Sequence, residues 1–155
     1  MSERARIRDL HPETAYRLGQ LLDRAAAVGL RVQLFEGYRS NARQAELYSH
    51  GRDVAGNIAN PSLVVTRAKP GQSWHNHGLA VDVVFSDAKN QPIWKGDWSA
   101  LGLLGEAVGF SWGGRWKSPD SPHFEFHPGF ERGDPVIPVE IKMRSYWERL
   151  RPAWT

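Results

Sequence analysis

The sequence predicts an α+β fold: a small, mostly antiparallel sheet with helices packed against it. Three observations predict it. At 155 residues the chain has the size of one domain with one core. Its elements read in the order helix, strand, helix, loop, strands, helix, strands. The connections between the later strands are too irregular for repeated βαβ units, which would build a parallel sheet. One domain is therefore expected over 1–155, with a core at about 12–128 and a tail, 129–155, docked on it.

Pro12 suits the first turn of a helix. Ala15, Leu18, Leu21, Leu22, Ala25 and Val28 recur behind it at helical spacing, and Gly29 stops the run, so a helix is expected over about 12–28. Leu30 to Glu36 follows as a strand with Val32 and Leu34 on one face, ending at Gly37-Tyr38-Arg39-Ser40. Asn41 to Ser49 reads as a second helix, and Asn41 with Gln44 has the spacing of a capping box. Residues 51–71 are rich in Gly, Asn and Pro and read as a loop, with a short strand at Leu63 to Thr66. Long loops in compact domains are often functional, which makes this one a candidate border of a substrate groove. Val81 to Phe85 is an apolar run of buried-strand type. Asp87, Asn90 and Pro92 mark a connection. Ser99 to Val108 is helical, with Leu101, Leu104 and Val108 on one face; Gly102 and Gly105 weaken that helix but allow close packing on a sheet. Phe110 to Trp112 and His123 to Phe126 make two late strands around a Gly-Gly turn. The basic stretch Ile141 to Leu150, with Met143, Tyr146 and Trp147, reads as a helix docked on its own domain. Weak contact with an anionic membrane is the alternative.

Composition narrows the chemistry. With no cysteine, neither a disulfide nor a thiolate–metal bond is available, so any zinc site must use histidine and carboxylate. The net charge of +3, carried by 15 Arg and 5 Lys against 17 acidic residues, favours anionic partners. No nucleic-acid motif or dense basic stripe accompanies it, so a nucleic-acid partner is not expected. Met1 to Asp9 is charged and has no apolar core, unlike a secretory signal. No apolar run approaches the roughly 20 residues that span a bilayer.

The chemistry concentrates in two stretches. Asp82 sits inside the apolar run, where an unpaired carboxylate is costly. A metal ion held with His75 solves that problem; pairing with a nearby arginine, with the histidines on loop surface, is the rival explanation. His75-x-His77 puts either ring in reach of the same duty. Downstream, His123 and Glu125 alternate with Phe124 and Phe126, so the phenylalanines can enter a core while His123 points away. Asp120 lies three residues before His123 on a turn shaped by Pro122. A hydrolytic zinc site takes three protein ligands and a water, with a carboxylate beside that water. Asp120 and Glu125 are both candidates for that carboxylate.

Ser73-x-His75-x-x-Gly78-x-Ala80-x-Asp82, followed by Asp120-x-x-His123, resembles the zinc D-peptidases of bacterial cell walls. That group holds D-alanyl-D-alanine dipeptidases and carboxypeptidases and L-alanyl-D-glutamate endopeptidases, several of them phage endolysins. The resemblance extends to Gly37 to Ser40 with Gln44 and Leu47-Tyr48, and to Trp112-Gly113-Gly114-Arg115-Trp116, covering about 32–127. It implies a hedgehog/D-peptidase fold and one zinc ion on His75, Asp82 and His123. It implies Asp120 as base and Arg39 on the oxyanion. Ser73 and Gln44 would lie near the substrate, with Trp112 and Trp116 lining the groove. The rival readings are capping for Gln44 and core or edge packing for the two tryptophans. Its register selects His75 over His77. Asp rather than Glu at 120 fits the endopeptidase branch. The implied function is a monomeric peptidoglycan stem endopeptidase of endolysin type. It would be made in the cytoplasm and reach the wall after membrane breach. The alternatives are a D-alanyl-D-alanine carboxypeptidase of wall remodelling and a non-catalytic zinc-containing wall-binding module. A pure binder would give no reason for both Asp120 and Arg39.

Overall fold

A computed structural model describes residues 5–127. The expected tail, including the basic stretch 141–150, lies outside the described residues. The described chain gathers into two units, one of residues 5–38 with 78–127 and one of residues 39–77.

The first unit holds α1 (Pro12–Ala27), β1 (Val32–Glu36), β2 (Ala80–Ser86), β3 (Pro92–Ile93), α3 (Trp98–Ala107), β4 (Ser111–Trp112) and β5 (His123–Glu125). The second holds α2 (Asn41–Ser49) and two 3₁₀ turns, Pro61–Leu63 and Trp74–His77. The sheet runs β1-β2-β5-β4, with β3 also paired to β2, and every pairing is antiparallel. This is the α+β architecture expected from the sequence.

Alternation along β2 makes the core. Val81, Val83 and Phe85 pack with Leu18, Leu21 and Ala25 of α1, Leu101 of α3 and Phe124 of β5. Asp82 therefore points to the other face of the sheet. Helix α1 begins where expected, with Pro12 in its first turn and His11 as cap, its Nδ1 accepting the Glu13 N–H. Gly29, at φ 80°, follows its end. Asp97 caps α3 by accepting the Ala100 N–H, so the helix begins at Trp98, one residue ahead of the expected Ser99.

Three expectations change. Leu63 to Thr66 is not a strand, because Asn60 accepts the Ser62 N–H and turns Pro61–Leu63 into a 3₁₀ helix. The stretch around Pro92 is not only a connection but pairs Pro92 and Ile93 with Ser86 and Phe85. Ser40, not Asn41, caps α2, its Oγ accepting the Arg43 N–H, and the capping box of Asn41 and Gln44 does not form.

The glycines of α3 fit the sheet as expected. A Cβ on Gly105 would lie 2.2 Å from Cε1 of the fully buried Phe124. On Gly19 of α1 it would meet nothing within 4 Å. Alanine gains about 1 kcal/mol of helix propensity over glycine. Overpacking a filled core costs about 1–3 kcal/mol. Gly19→Ala is therefore expected to raise stability by up to about 1 kcal/mol and Gly105→Ala to lower it by about 1–2 kcal/mol, both read from urea denaturation midpoints.

Candidate metal centre

Strand register brings Asp82 and His123 together. They are direct cross-strand partners in the β2–β5 ladder, on the face away from Phe124. His123 Nδ1 stands 3.0 Å from Asp82 Oδ1, and its Nε2 stands 2.8 Å from Glu125 Oε1. The other Glu125 oxygen takes His127 Nε2 at 2.5 Å. His123 and Glu125 are both buried. Over His123 lies the ring of Trp116, centroids 5.1 Å apart, on a side chain that is 42% exposed.

His75 is placed by its own turn. It is buried, its N–H donates to Ser73 Oγ, and its carbonyl accepts the Arg39 N–H at 2.9 Å. Asn76 organises this turn, a duty that reading the sequence did not assign to it. Its Oδ1 accepts from the N–H groups of Gly71 and Ser73, and its Nδ2 donates to the Arg39 carbonyl. An asparagine bonding nearby backbone in a Gly-containing turn is the available signal. His77 turns to the Gly71 carbonyl, 2.9 Å from its Nε2.

His75, Asp82 and His123 each offer one ligand atom, and these atoms all lie within 4.8 Å of one another. Two imidazole nitrogens and a carboxylate oxygen form a donor set suited to zinc, whose bonds to them are about 2.0–2.2 Å. The residues present fit the ion. His77 is not in that group.

Asp120 is exposed, between the 3₁₀ turn Gly113–Arg115 and β5. Its N–H donates to the Gly113 carbonyl at 2.9 Å, and its carbonyl accepts the His123 N–H at 3.2 Å. The turn leaves no room at Gly113, where a Cβ would come 2.6 Å from the Asp120 carbonyl oxygen. Arg39 donates to Gln44 Oε1 at 3.0 Å. Gln44 is wholly buried and passes its amide N–H to the Ala68 carbonyl at 2.7 Å. Gln44 thus ties Arg39 to the Ala68 backbone from inside the fold. Trp112 donates its indole N–H to the Ser121 carbonyl and packs against the core cluster, its ring filling the space over Gly102.

The carboxylates set the charge on His123. Burial opposes a charged imidazole, but Asp82 and Glu125 outweigh burial and push its pKa up to about 10. Burial likewise opposes charge on Glu125, and bonds from His123 and His127 outweigh it, bringing its pKa down to about 2. In protein freed of metal by chelation, His123 stabilises the fold fully below 6.5 and stops doing so as pH rises through about 10. Glu125 contributes fully above 4.5 and stops as pH falls through about 2. Zinc must displace the His123 proton. Apparent zinc affinity is therefore expected to rise by up to about tenfold per unit between about pH 7.5 and 9, with about one proton released per ion. Calorimetry in buffers of different ionisation enthalpy measures that proton.

The sequence pattern of the VanY family, described as D-alanyl-D-alanine carboxypeptidase, matches residues 7–137. The chain belongs to this family. It is 38% identical over 131 residues, 77% of this chain and 75% of the relative, to the peptidoglycan L-alanyl-D-glutamate endopeptidase CwlK of Bacillus subtilis strain 168. Among solved structures it is similar to the L-Ala D-Glu endopeptidase ChiX of Serratia marcescens. That match has a TM-score of 0.58 at 26% identity, covering 81% of this chain and 88% of that one. A Zn(II) complex of a mutant VanY D,D-pentapeptidase from a VanB-type vancomycin resistance cassette shares the fold. There the TM-score is 0.58 at 23% identity, covering 76% of this chain and 72% of that one. Among the described residues the VanY-family fold is three α-helices and a five-stranded antiparallel sheet. No helix among the described residues is long and apolar enough to cross a membrane.

Proposed function

We propose that the protein is a zinc-dependent peptidoglycan peptidase that cuts the stem peptide between L-alanine and D-glutamate. The observation that carries this reading is the His75–Asp82–His123 donor group in a chain of this family. The choice of bond is supported by the two L-alanyl-D-glutamate endopeptidases among its relatives.

His75, Asp82 and His123 would hold one zinc ion, which when bound would supply Lewis acidity to the scissile carbonyl and to a water. The chain's own groups do the rest. Asp120, exposed beside His123, accepts the proton of the attacking water and returns it to the leaving amine nitrogen. Arg39, its guanidinium held by Gln44, donates to the carbonyl oxygen as negative charge builds there. Ser73 takes the His75 N–H on its oxygen and offers its O–H to the substrate. Trp116 gives the stem peptide an apolar wall against His123. Trp112 acts behind it, as packing.

In the cell this enzyme is one peptidase domain acting as a monomer on the wall. The resemblance of the Tyr38 to Ser40 and Trp112 to Trp116 segments to phage enzymes supports an endolysin role, with access to the wall after membrane breach. The family description favours the competing reaction, release of terminal D-alanine. Mass spectrometry of digested muropeptides separates the two. New fragments beginning with D-glutamate are expected. Loss of terminal D-alanine alone would overturn the bond assignment.

A further inference from the structure

His123 and Glu125 leave β5 on the same side, and His127, two residues beyond the strand's end, returns its ring to Glu125 on that side. The two intervening residues turn the other way: Phe124 is in the core and Phe126 packs against it. Glu125 is 8% exposed and its two oxygens are divided, Oε1 to His123 Nε2 at 2.8 Å and Oε2 to His127 Nε2 at 2.5 Å. An ionised carboxylate only accepts hydrogen bonds, so both imidazoles must present N–H at Nε2. With Nε2 of His123 so engaged, Nδ1, the nitrogen facing Asp82, is the one left to turn toward a metal.

We infer that His127 is a positioning residue for zinc, acting through Glu125 to hold the His123 ring and its tautomer. This rests on the reading of His75, Asp82 and His123 as the zinc site. Glu125 alone could hydrogen-bond His123 while swinging about its last torsion. With its second oxygen tied to His127, the carboxylate is clamped between two donors, one on β5 and one just past its end. Outer partners of this kind typically change metal affinity about 10–100-fold. The same geometry assigns Glu125 to the metal's support and not to proton transfer from water, because both of its oxygens are engaged by imidazoles.

The test is zinc affinity by competition with a chromophoric chelator, with the melting temperature of the metal-free protein recorded for each variant. The variants are His127→Gln, which keeps an N–H near the Nε2 position, His127→Phe, which keeps the ring and loses the donor, Glu125→Gln, and the Glu125→Gln/His127→Phe pair. His127→Phe is expected to weaken zinc about 10–100-fold and His127→Gln to stay within about threefold of wild type. The double variant should lose no more than Glu125→Gln alone. Wild-type affinity in His127→Phe, equal losses in Phe and Gln, or additive losses in the pair would each overturn the inference while leaving the zinc site standing. A wild-type protein that takes up no zinc would overturn the site itself. Should His127→Phe fail to fold, the comparison of His127→Gln with Glu125→Gln decides: equal losses overturn the inference, and a near-normal His127→Gln supports it.

Discussion

His123→Ala is expected to strip the protein of zinc and abolish peptidoglycan cleavage. The reason is local. His123 stands between Asp82 and Glu125, and without it two carboxylates on neighbouring strands face one another with neither imidazole nor metal between them. The loss in zinc affinity should exceed the about 10–100-fold that follows removal of an outer hydrogen-bond partner. Breaking a buried ion pair by removing one member also costs about 3–5 kcal/mol, so a lower melting temperature of the metal-free form is part of the expectation. Asp82→Ala and His75→Ala should lose zinc in the same way. His77→Ala provides the contrast, since its Nε2 is engaged with the Gly71 carbonyl and it stands outside the donor group. Elemental analysis after gel filtration reads all four. A full equivalent of zinc in His123→Ala, or its loss in His77→Ala, would show that the ligand set is different.

Asp120→Asn is expected to retain zinc and stop turning over. Its backbone N–H and carbonyl hold the Gly113 and His123 backbone, and asparagine keeps both bonds. What it loses is a carboxylate able to take a proton. General-base catalysis typically contributes about 10²–10⁴-fold, so kcat at saturating zinc should fall within that range while the melting temperature stays near wild type. Asp120→Glu should recover part of the rate. Glu125→Gln, measured at the same saturating zinc, should be the milder change. The opposite pattern, with Asp120→Asn at the wild-type rate and Glu125→Gln inactive, would make Glu125 the base.

Much of this was legible because hydrophobic period and chemistry agree in the same segments. Val81, Val83 and Phe85 pack into the core from one face of β2, and that forces Asp82 to the other. Phe124 likewise leaves His123 on the site face of β5. The direct pairing of Asp82 with His123 is a matter of register, which neither segment states by itself. A polar residue near a helix start looks like a cap, but Ser40 takes that place and the capping alternative for Gln44 fails. Only the fold reveals Gln44 fully buried, with Arg39 on one end of its amide and Ala68 on the other. Asn76 sits at an unspecified position of the Ser73-to-Asp82 motif, so nothing in the motif marks it. Two-residue β3 escaped because Pro92 is a turn signal as well as an acceptable strand-edge residue. His127 needed only the period-two pattern of His123 and Glu125 carried one step further.

Zinc-dependent cleavage of the peptidoglycan stem by this chain is tested most directly by following hydrolysis of one purified muropeptide against zinc content. After exhaustive chelation the wild-type protein is expected to be inactive while remaining folded. Activity should then return in proportion to added zinc and level off at one equivalent, with D-glutamate as the new amino terminus of the product. Undiminished hydrolysis by protein shown by elemental analysis to be free of zinc and other divalent metals would contradict the account.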